Sequence, residues 1–225
     1  MTWVKICGIS DVDSAVSATR AGADYLGMVL APSSRQVSPE KTRRIIESVR
    51  QLDSPPQTVG VFVNRPSIEV NQIADYCQLD WVQLSGDETW DYCKSIVTPI
   101  VKVFHVAPDA RQAEISTEIF RGYSLIPPNH IISLLDSAAP NTHGGTGTTF
   151  NWKTAKAVAD KFSVMIAGGL NPDNVGQLIK TANPWGVDVS SGVETGGKKD
   201  PAKIKAFIET VRRLDIERGG GIKVA

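Results

Sequence analysis

The chain has little of what marks several broad classes of protein. It carries no net charge, with 24 Lys and Arg residues against 24 Asp and Glu. That balance argues against a nucleic-acid coat or a polybasic membrane surface, yet leaves room for a small anion held by backbone amides and a few side chains. Cysteine is scarce: Cys7, Cys77 and Cys93 form no C-x-x-C pair and have no histidine beside them in metal-ligand spacing. An odd count without a framework reads as reduced intracellular thiols, not as disulfides or a metal site. No apolar run approaches the roughly 18 residues of a membrane span, and the N-terminus lacks an apolar signal core. The expectation is a soluble, cytoplasmic protein with no nucleic-acid or membrane partner and no metal. Two nucleotide signatures are missing as well. Cys7-Gly8-Ile9-Ser10 does not match G-x-G-x-x-G, and Gly144-Gly145-Thr146-Gly147-Thr148-Thr149 lacks the lysine of a P-loop. The three histidines, His105, His130 and His143, make no triad or metal pattern and are assigned no role.

What is present is a regular alternation. Short runs rich in Val, Ile and Leu predict strands over 2–7, 24–30, 58–63, 80–84, 100–105, 131–135, 163–167 and 186–190. Helical patterns lie between them, near 11–21, 39–51, 67–77, 88–96, 109–120, 151–161, 172–182 and 200–215. Pro39, Pro172 and Pro201, each after a capping residue, are expected to open three of these helices. The fifth unit is the weakest, and 121–130, with Gly122, Pro127 and Pro128, is expected to be irregular. Alternating βα units imply a parallel sheet with right-handed crossovers. Eight of them in 225 residues predict an α/β fold, a single-domain (β/α)8 TIM barrel over 1–218, with 219–225 a flexible tail. The rival, an open doubly wound sheet, lacks its glycine fingerprint.

In such a barrel the residues after each strand meet at one rim, where the chemistry takes place. Alternation puts Trp3, Lys5 and Cys7 on one face of the first strand, so a thiol at the rim shares its face with a cation. Cys7 also reads as a small buried core residue. Asp136 ends a buried apolar run; taken alone it reads first as an Asp capping its own loop, while desolvation there raises a carboxyl pKa and makes a usable acid. The fork of Arg35, in Pro32-Ser33-Ser34-Arg35, suits a carboxylate, unless it is simply a solvated surface arginine. Gly168-Gly169 and Ser190-Ser191-Gly192 follow the last two strands, and two adjacent loops of this kind favour a phosphate site over mere tight turns. The glycine-rich run holding Gly145 reads as a mobile loop that closes over a ligand.

With these residues assembled, the chain resembles the phosphoribosylanthranilate isomerase family of tryptophan biosynthesis. The resemblance is carried by Lys5-Ile6-Cys7-Gly8-Ile9, Ser34-Arg35-Gln36-Val37-Ser38-Pro39, Gly60-Val61-Phe62-Val63-Asn64, Val82-Gln83-Leu84 with Gly86-Asp87-Glu88, Leu135-Asp136, Gly144-Gly145-Thr146-Gly147, Ala167-Gly168-Gly169-Leu170 and Asp188-Val189-Ser190-Ser191-Gly192-Val193-Glu194. It implies a cofactor-free Amadori rearrangement of N-(5-phosphoribosyl)anthranilate to 1-(2-carboxyphenylamino)-1-deoxyribulose 5-phosphate, the third step from chorismate, in a monomer or homodimer. It implies Asp136 as general acid, Cys7 as general base and Arg35 as the clamp on the anthranilate carboxylate. Phosphate falls to Gly145, Gly168, Gly169, Ser190, Ser191 and Gly192. Two positions depart from the family: Ser85 stands where His is usual, and Thr148 where many members carry Lys. The alternatives are another phosphosugar barrel, an epimerase or a synthase, or a non-catalytic barrel that binds a phosphate ligand. Strand parity adds one expectation from the residues themselves. Asp188 shares a face with Ser190 on the last strand, beside Lys5 on the first, so a buried Lys5–Asp188 pair is expected inside the barrel.

Overall fold

The computed structural model describes residues 1–107, 110–137 and 152–219. The glycine-rich run with Gly145 and Thr148, and the expected tail from residue 220 on, lie outside the described residues. Eight parallel strands close into a barrel in sequence order. They are β1 (Trp3–Cys7), β2 (Tyr25–Val29), β3 (Gln57–Phe62), β4 (Trp81–Leu84), β5 (Ile100–Val106), β6 (Ile131–Ser137), β7 (Val164–Ile166) and β8 (Gly186–Val189). The helices are α1 (Val12–Ala21), α2 (Pro39–Val49), α3 (Ser67–Cys77), α4 (Trp90–Lys94), α5 (Gln112–Leu125), α6 (Trp152–Ala159), α7 (Val175–Ala182) and α8 (Pro201–Glu217). Among the described residues, no helix is long and apolar enough to cross a membrane.

Local chemistry explains most boundaries. Ser38 Oγ accepts from Lys41 N at 3.2 Å, with Pro39 opening α2; Asp200 Oδ1 accepts from Ala202 N at 2.9 Å, with Pro201 opening α8. The buried residues of α2, Thr42, Ile45, Ile46 and Val49, repeat at helical spacing and face the sheet. Each large apolar side chain so buried contributes about 1.5–3 kcal/mol. Such residues build one apolar shell between sheet and helices, while Tyr25, Val59, Val101, Val103, Ile132, Leu134, Met165 and Ala167 fill the barrel interior.

Two expectations need correction, and one element is new. The segment expected to be irregular is helical through Leu125: Gly122 lies within α5 because the Trp90 ring occupies the space a side chain would need. Pro172 does not open α7, since Asn171 Oδ1 accepts from the backbone of Asp173 and Asn174 at 2.9 and 3.1 Å, and this turn delays the helix to Val175. A two-stranded antiparallel ribbon, β9 (Glu194–Thr195) and β10 (Lys198–Lys199), was not expected at all. Gly196 and Gly197, both at positive φ (58° and 76°), make its two-residue turn.

Candidate active site

Closure of the barrel sorts the inward residues into layers. Register places Lys5 beside Asp188 and Trp3 beside Gly186 across the β1–β8 seam. Trp3, Tyr25, Trp81 and Trp185 close the amino-terminal end, with Trp3 and Trp185 stacked at 5.5 Å. One step up, Lys5, Gln83 and Asp188 are polar among apolar neighbours. At the carboxyl rim stand Cys7, Ser85, His105, Asp136 and Ser190, around a cavity of about 600 Å³. That volume suits a small ligand. Arg35, Gly168, Gly169 and Ser191 also line it, and so do Gln83 and Asp188. The structure therefore gathers Cys7, Asp136, Arg35, Gly168, Gly169, Ser190 and Ser191 at one opening. Gly192 is not on the cavity wall; its Cα packs against the Leu170 carbonyl, holding the two last loops together.

The Lys5–Asp188 pair is present. Lys5 Nζ donates to both carboxylate oxygens at 3.1 Å, and the lysine is fully buried. Burial works against its charge, but Asp188 and Cys7 outweigh burial and raise the ammonium pKa above its ordinary value. Gly27 on β2 makes room for this group: a Cβ there would lie 2.8 Å from Cys7 Sγ and 3.1 Å from Lys5 Nζ. Cys7 feels opposing influences. Burial pushes its thiol up and Asp188 adds to that, while Lys5 and Lys199 pull it down; burial prevails, and the pKa lies above the 9.0 of a free thiol. The lysine thus favours the anion without making it the resting form.

Asp136 lies within β6, not after it, and is registered beside His105 of β5. Burial is the main reason its pKa rises from 3.8 to about 6; Asp188 adds to the rise and His105 opposes it. Position His105 was read as having no role, yet its ring sits on the cavity wall, with Nε2 3.0 Å from the Ser85 carbonyl oxygen. Parity on β5 is the signal that marks it: Val101, Val103 and His105 share the inward face.

Arg35 is held from one side. Its Nε and Nη2 donate to the two oxygens of Glu194, each at 2.8 Å. Lys199 Nζ donates to the same carboxylate at 2.6 Å and to the Ser190 carbonyl at 2.9 Å. Two cations on one carboxylate overcome its burial and hold the Glu194 pKa at about 2. Burial in turn lowers the Lys199 pKa, although Glu194 opposes the shift. Neither Glu194 nor Lys199 was assigned a role from the sequence. The available signal was the Gly196-Gly197 turn, which folds Lys199 back opposite Glu194. The arrangement brings a carboxyl of raised pKa, a thiol and three cations, each paired with a carboxylate, around one cavity, which suits proton transfer on a small anionic molecule.

Comparison with known proteins agrees with this chemistry. A family profile described as N-(5'phosphoribosyl)anthranilate (PRA) isomerase matches residues 4–210. The N-(5'-phosphoribosyl)anthranilate isomerase of Dehalococcoides mccartyi is 45% identical over 218 residues, covering 97% of this chain and 99% of its own. That of Moorella thermoacetica is 44% identical over 216 residues, covering 96% of this chain and 92% of its own. The crystal structure of phosphoribosyl anthranilate isomerase from Thermotoga maritima superposes with a TM-score of 0.80 at 36% identity, covering 95% of this chain and 100% of that one. A phosphoribosyl anthranilate isomerase in complex with reduced 1-(o-carboxyphenylamino)-1-deoxyribulose 5-phosphate superposes with a TM-score of 0.77 at 34% identity, again over 95% and 100%. A match of this identity along nearly the whole length of both chains leaves one conclusion: the chain belongs to the N-(5'-phosphoribosyl)anthranilate isomerase family.

Proposed function

We propose that this chain isomerises N-(5'-phosphoribosyl)anthranilate to 1-(2-carboxyphenylamino)-1-deoxyribulose 5-phosphate by general acid–base catalysis. The observation that carries the reading is the pairing of Cys7 and Asp136, of opposite role, on one cavity. Asp136 gives its proton to the ribose ring oxygen as the C1–O bond breaks, leaving an open-chain iminium. The Cys7 thiolate then takes the proton from C2, and the electron pair of that C–H bond neutralises the iminium as an enolamine. Tautomerisation of the enolamine gives the aminoketose with no net gain or loss of atoms. The Gly168-Gly169 and Ser190-Ser191 loops are suited to the phosphate through backbone N–H and hydroxyl donors, with Gly192 packing them together and Gly145 a further candidate.

Arg35 is suited to the anthranilate carboxylate. Glu194 occupies one edge of the guanidinium and fixes its plane, and the outer edge remains for a second anion. Charge-assisted hydrogen bonds contribute about 1.5–3 kcal/mol. Arg35→Ala is therefore expected to raise KM about 10- to 100-fold while kcat changes little. Arg35→Lys restores little, because a point charge cannot serve Glu194 and a carboxylate with the same geometry. An unchanged KM in Arg35→Ala removes Arg35 from the substrate site.

Turnover of freshly prepared N-(5'-phosphoribosyl)anthranilate, followed by loss of its fluorescence, tests the reading as a whole; an inactive folded chain would overturn it. The pH profile tests the roles. The competent enzyme has Asp136 protonated and Cys7 ionised. With the acid near 6 and burial holding the thiol above its ordinary value, that state is a small minority of the free enzyme. The logarithm of kcat/KM rises with pH to about 6, stays flat, and falls again only above about 9. The substrate phosphate also titrates near 6, so the alkaline limb is the informative one. A descending limb near neutrality would contradict the assignment of a buried, elevated thiol.

A further inference from the structure

Among the described residues, two buried side-chain polar atoms make no hydrogen bond, Thr42 Oγ1 and Gln83 Oε1. Thr42 sits on the buried face of α2. Gln83 is in a different position. It faces inward from β4, one step below the rim, is 6% exposed and lines the cavity. Its amide nitrogen is already engaged, with Nε2 donating to Ser85 Oγ at 3.0 Å. The carbonyl oxygen of the same amide is left as a buried acceptor on the wall of a polar cavity. Buried acceptors are ordinarily satisfied, so an exception calls for an explanation, and one on a cavity wall can be met by a ligand.

Resting on the isomerase reading above, we propose that Gln83 is a specificity-determining residue whose amide oxygen accepts a hydrogen bond from a sugar hydroxyl of the substrate. The substrate has two anionic ends, a carboxylate and a phosphate, which bring acceptors and repel an amide oxygen. Its donors are the secondary amine N–H and the sugar hydroxyls. The amine lies ortho to the carboxylate, which accepts that N–H within the same molecule in a six-membered ring. The hydroxyls remain. Their position also fits. Arg35 and the loops after β7 and β8 stand at the rim, and the sugar links the two groups they are suited to. Gln83 lies in the layer beneath, where the middle of such a molecule reaches the barrel floor. Ser85 secures the amide by accepting from Nε2, so the oxygen is presented in a defined orientation. A ligand without the hydroxyl leaves Oε1 unpaired, and a site built to pair a donor discriminates against ligands that lack it.

The test compares two ligands by calorimetry. One is reduced 1-(o-carboxyphenylamino)-1-deoxyribulose 5-phosphate. The other is 5-(2-carboxyphenylamino)pentyl phosphate, which keeps both anionic ends and has no sugar hydroxyl. Gln83→Leu and Gln83→Met are expected to weaken the hydroxylated ligand about tenfold and to leave the pentyl ligand within about twofold. Equal losses on both ligands, or none on either, overturn the proposal, because a purely structural glutamine does not distinguish them. A crystal structure of the wild type with the hydroxylated ligand decides the matter independently of how the variants fold. A sugar oxygen within about 3.2 Å of Oε1 supports the proposal, and none within about 3.5 Å refutes it. Wild-type turnover of N-(5'-phosphoribosyl)anthranilate, measured alongside, separates failure of this inference from failure of the isomerase reading.

Discussion

Cys7→Ala and Asp136→Asn each lower kcat by at least about two orders of magnitude, the usual scale for a general acid or base. The two losses have different physical origins. Alanine removes the atom proposed to accept the C2 proton, and no other inward group at the β1 rim replaces it. Asparagine keeps the shape of Asp136 but has no acidic proton for the ring oxygen. Stability separates these roles from structural ones. The Asp136 pKa is raised from 3.8 to about 6 by burial, so the folded state binds the proton more tightly than the unfolded chain. That stabilisation is complete below about 3.8 and is lost as pH rises through 6. At neutral pH the buried carboxylate is a burden on the fold. Asp136→Asn is accordingly expected to stabilise the protein by up to about 3 kcal/mol at pH 7 while activity collapses. Denaturant unfolding and single-turnover kinetics on the same preparation check both halves. Near-normal turnover in either variant removes that residue from the mechanism.

Lys5→Met destabilises the barrel by about 3–5 kcal/mol, because it leaves Asp188 buried without the cation that both its oxygens contact. The double variant Lys5→Met/Asp188→Leu recovers most of that loss, since removing both charges also removes their desolvation cost. Its activity does not recover. Lys5 lowers the Cys7 pKa more than Asp188 raises it, so with both gone the thiol ionises at still higher pH. The alkaline limb of kcat/KM moves up, and the competent fraction at pH 7 falls. Chemical denaturation of the two variants measures the first effect, and the pH profile of the double variant measures the second. A single variant as stable as the wild type shows that the pair does not hold the barrel, and an unmoved alkaline limb shows that it does not act on Cys7.

The barrel was legible because its signals are local. Alternating apolar runs, prolines after Ser38 and Asp200, and glycines after the last strands each report on a few neighbouring residues. The Lys5–Asp188 pair was legible for a related reason: period-two alternation assigns faces, and closure makes the first and last strands neighbours. Glu194 and Lys199 escaped notice because a four-residue ribbon has no periodicity to detect, and its meaning depends on Arg35, 159 residues away. His105 escaped because its neighbours, Ser85 just after β4 and Asp136 on β6, come from the two flanking βα units.

The sequence by itself determined the number and order of the βα units, which residues face inward, and the types of side chain at the rim. These follow from backbone geometry and burial, acting over one or two turns. Only the tertiary structure decided the protonation balance at Cys7 and Asp136, the clamp on Arg35 and the bare oxygen of Gln83. Each is a sum over groups brought together by closure of the barrel, in surroundings whose low polarity magnifies every charge and every unmade hydrogen bond.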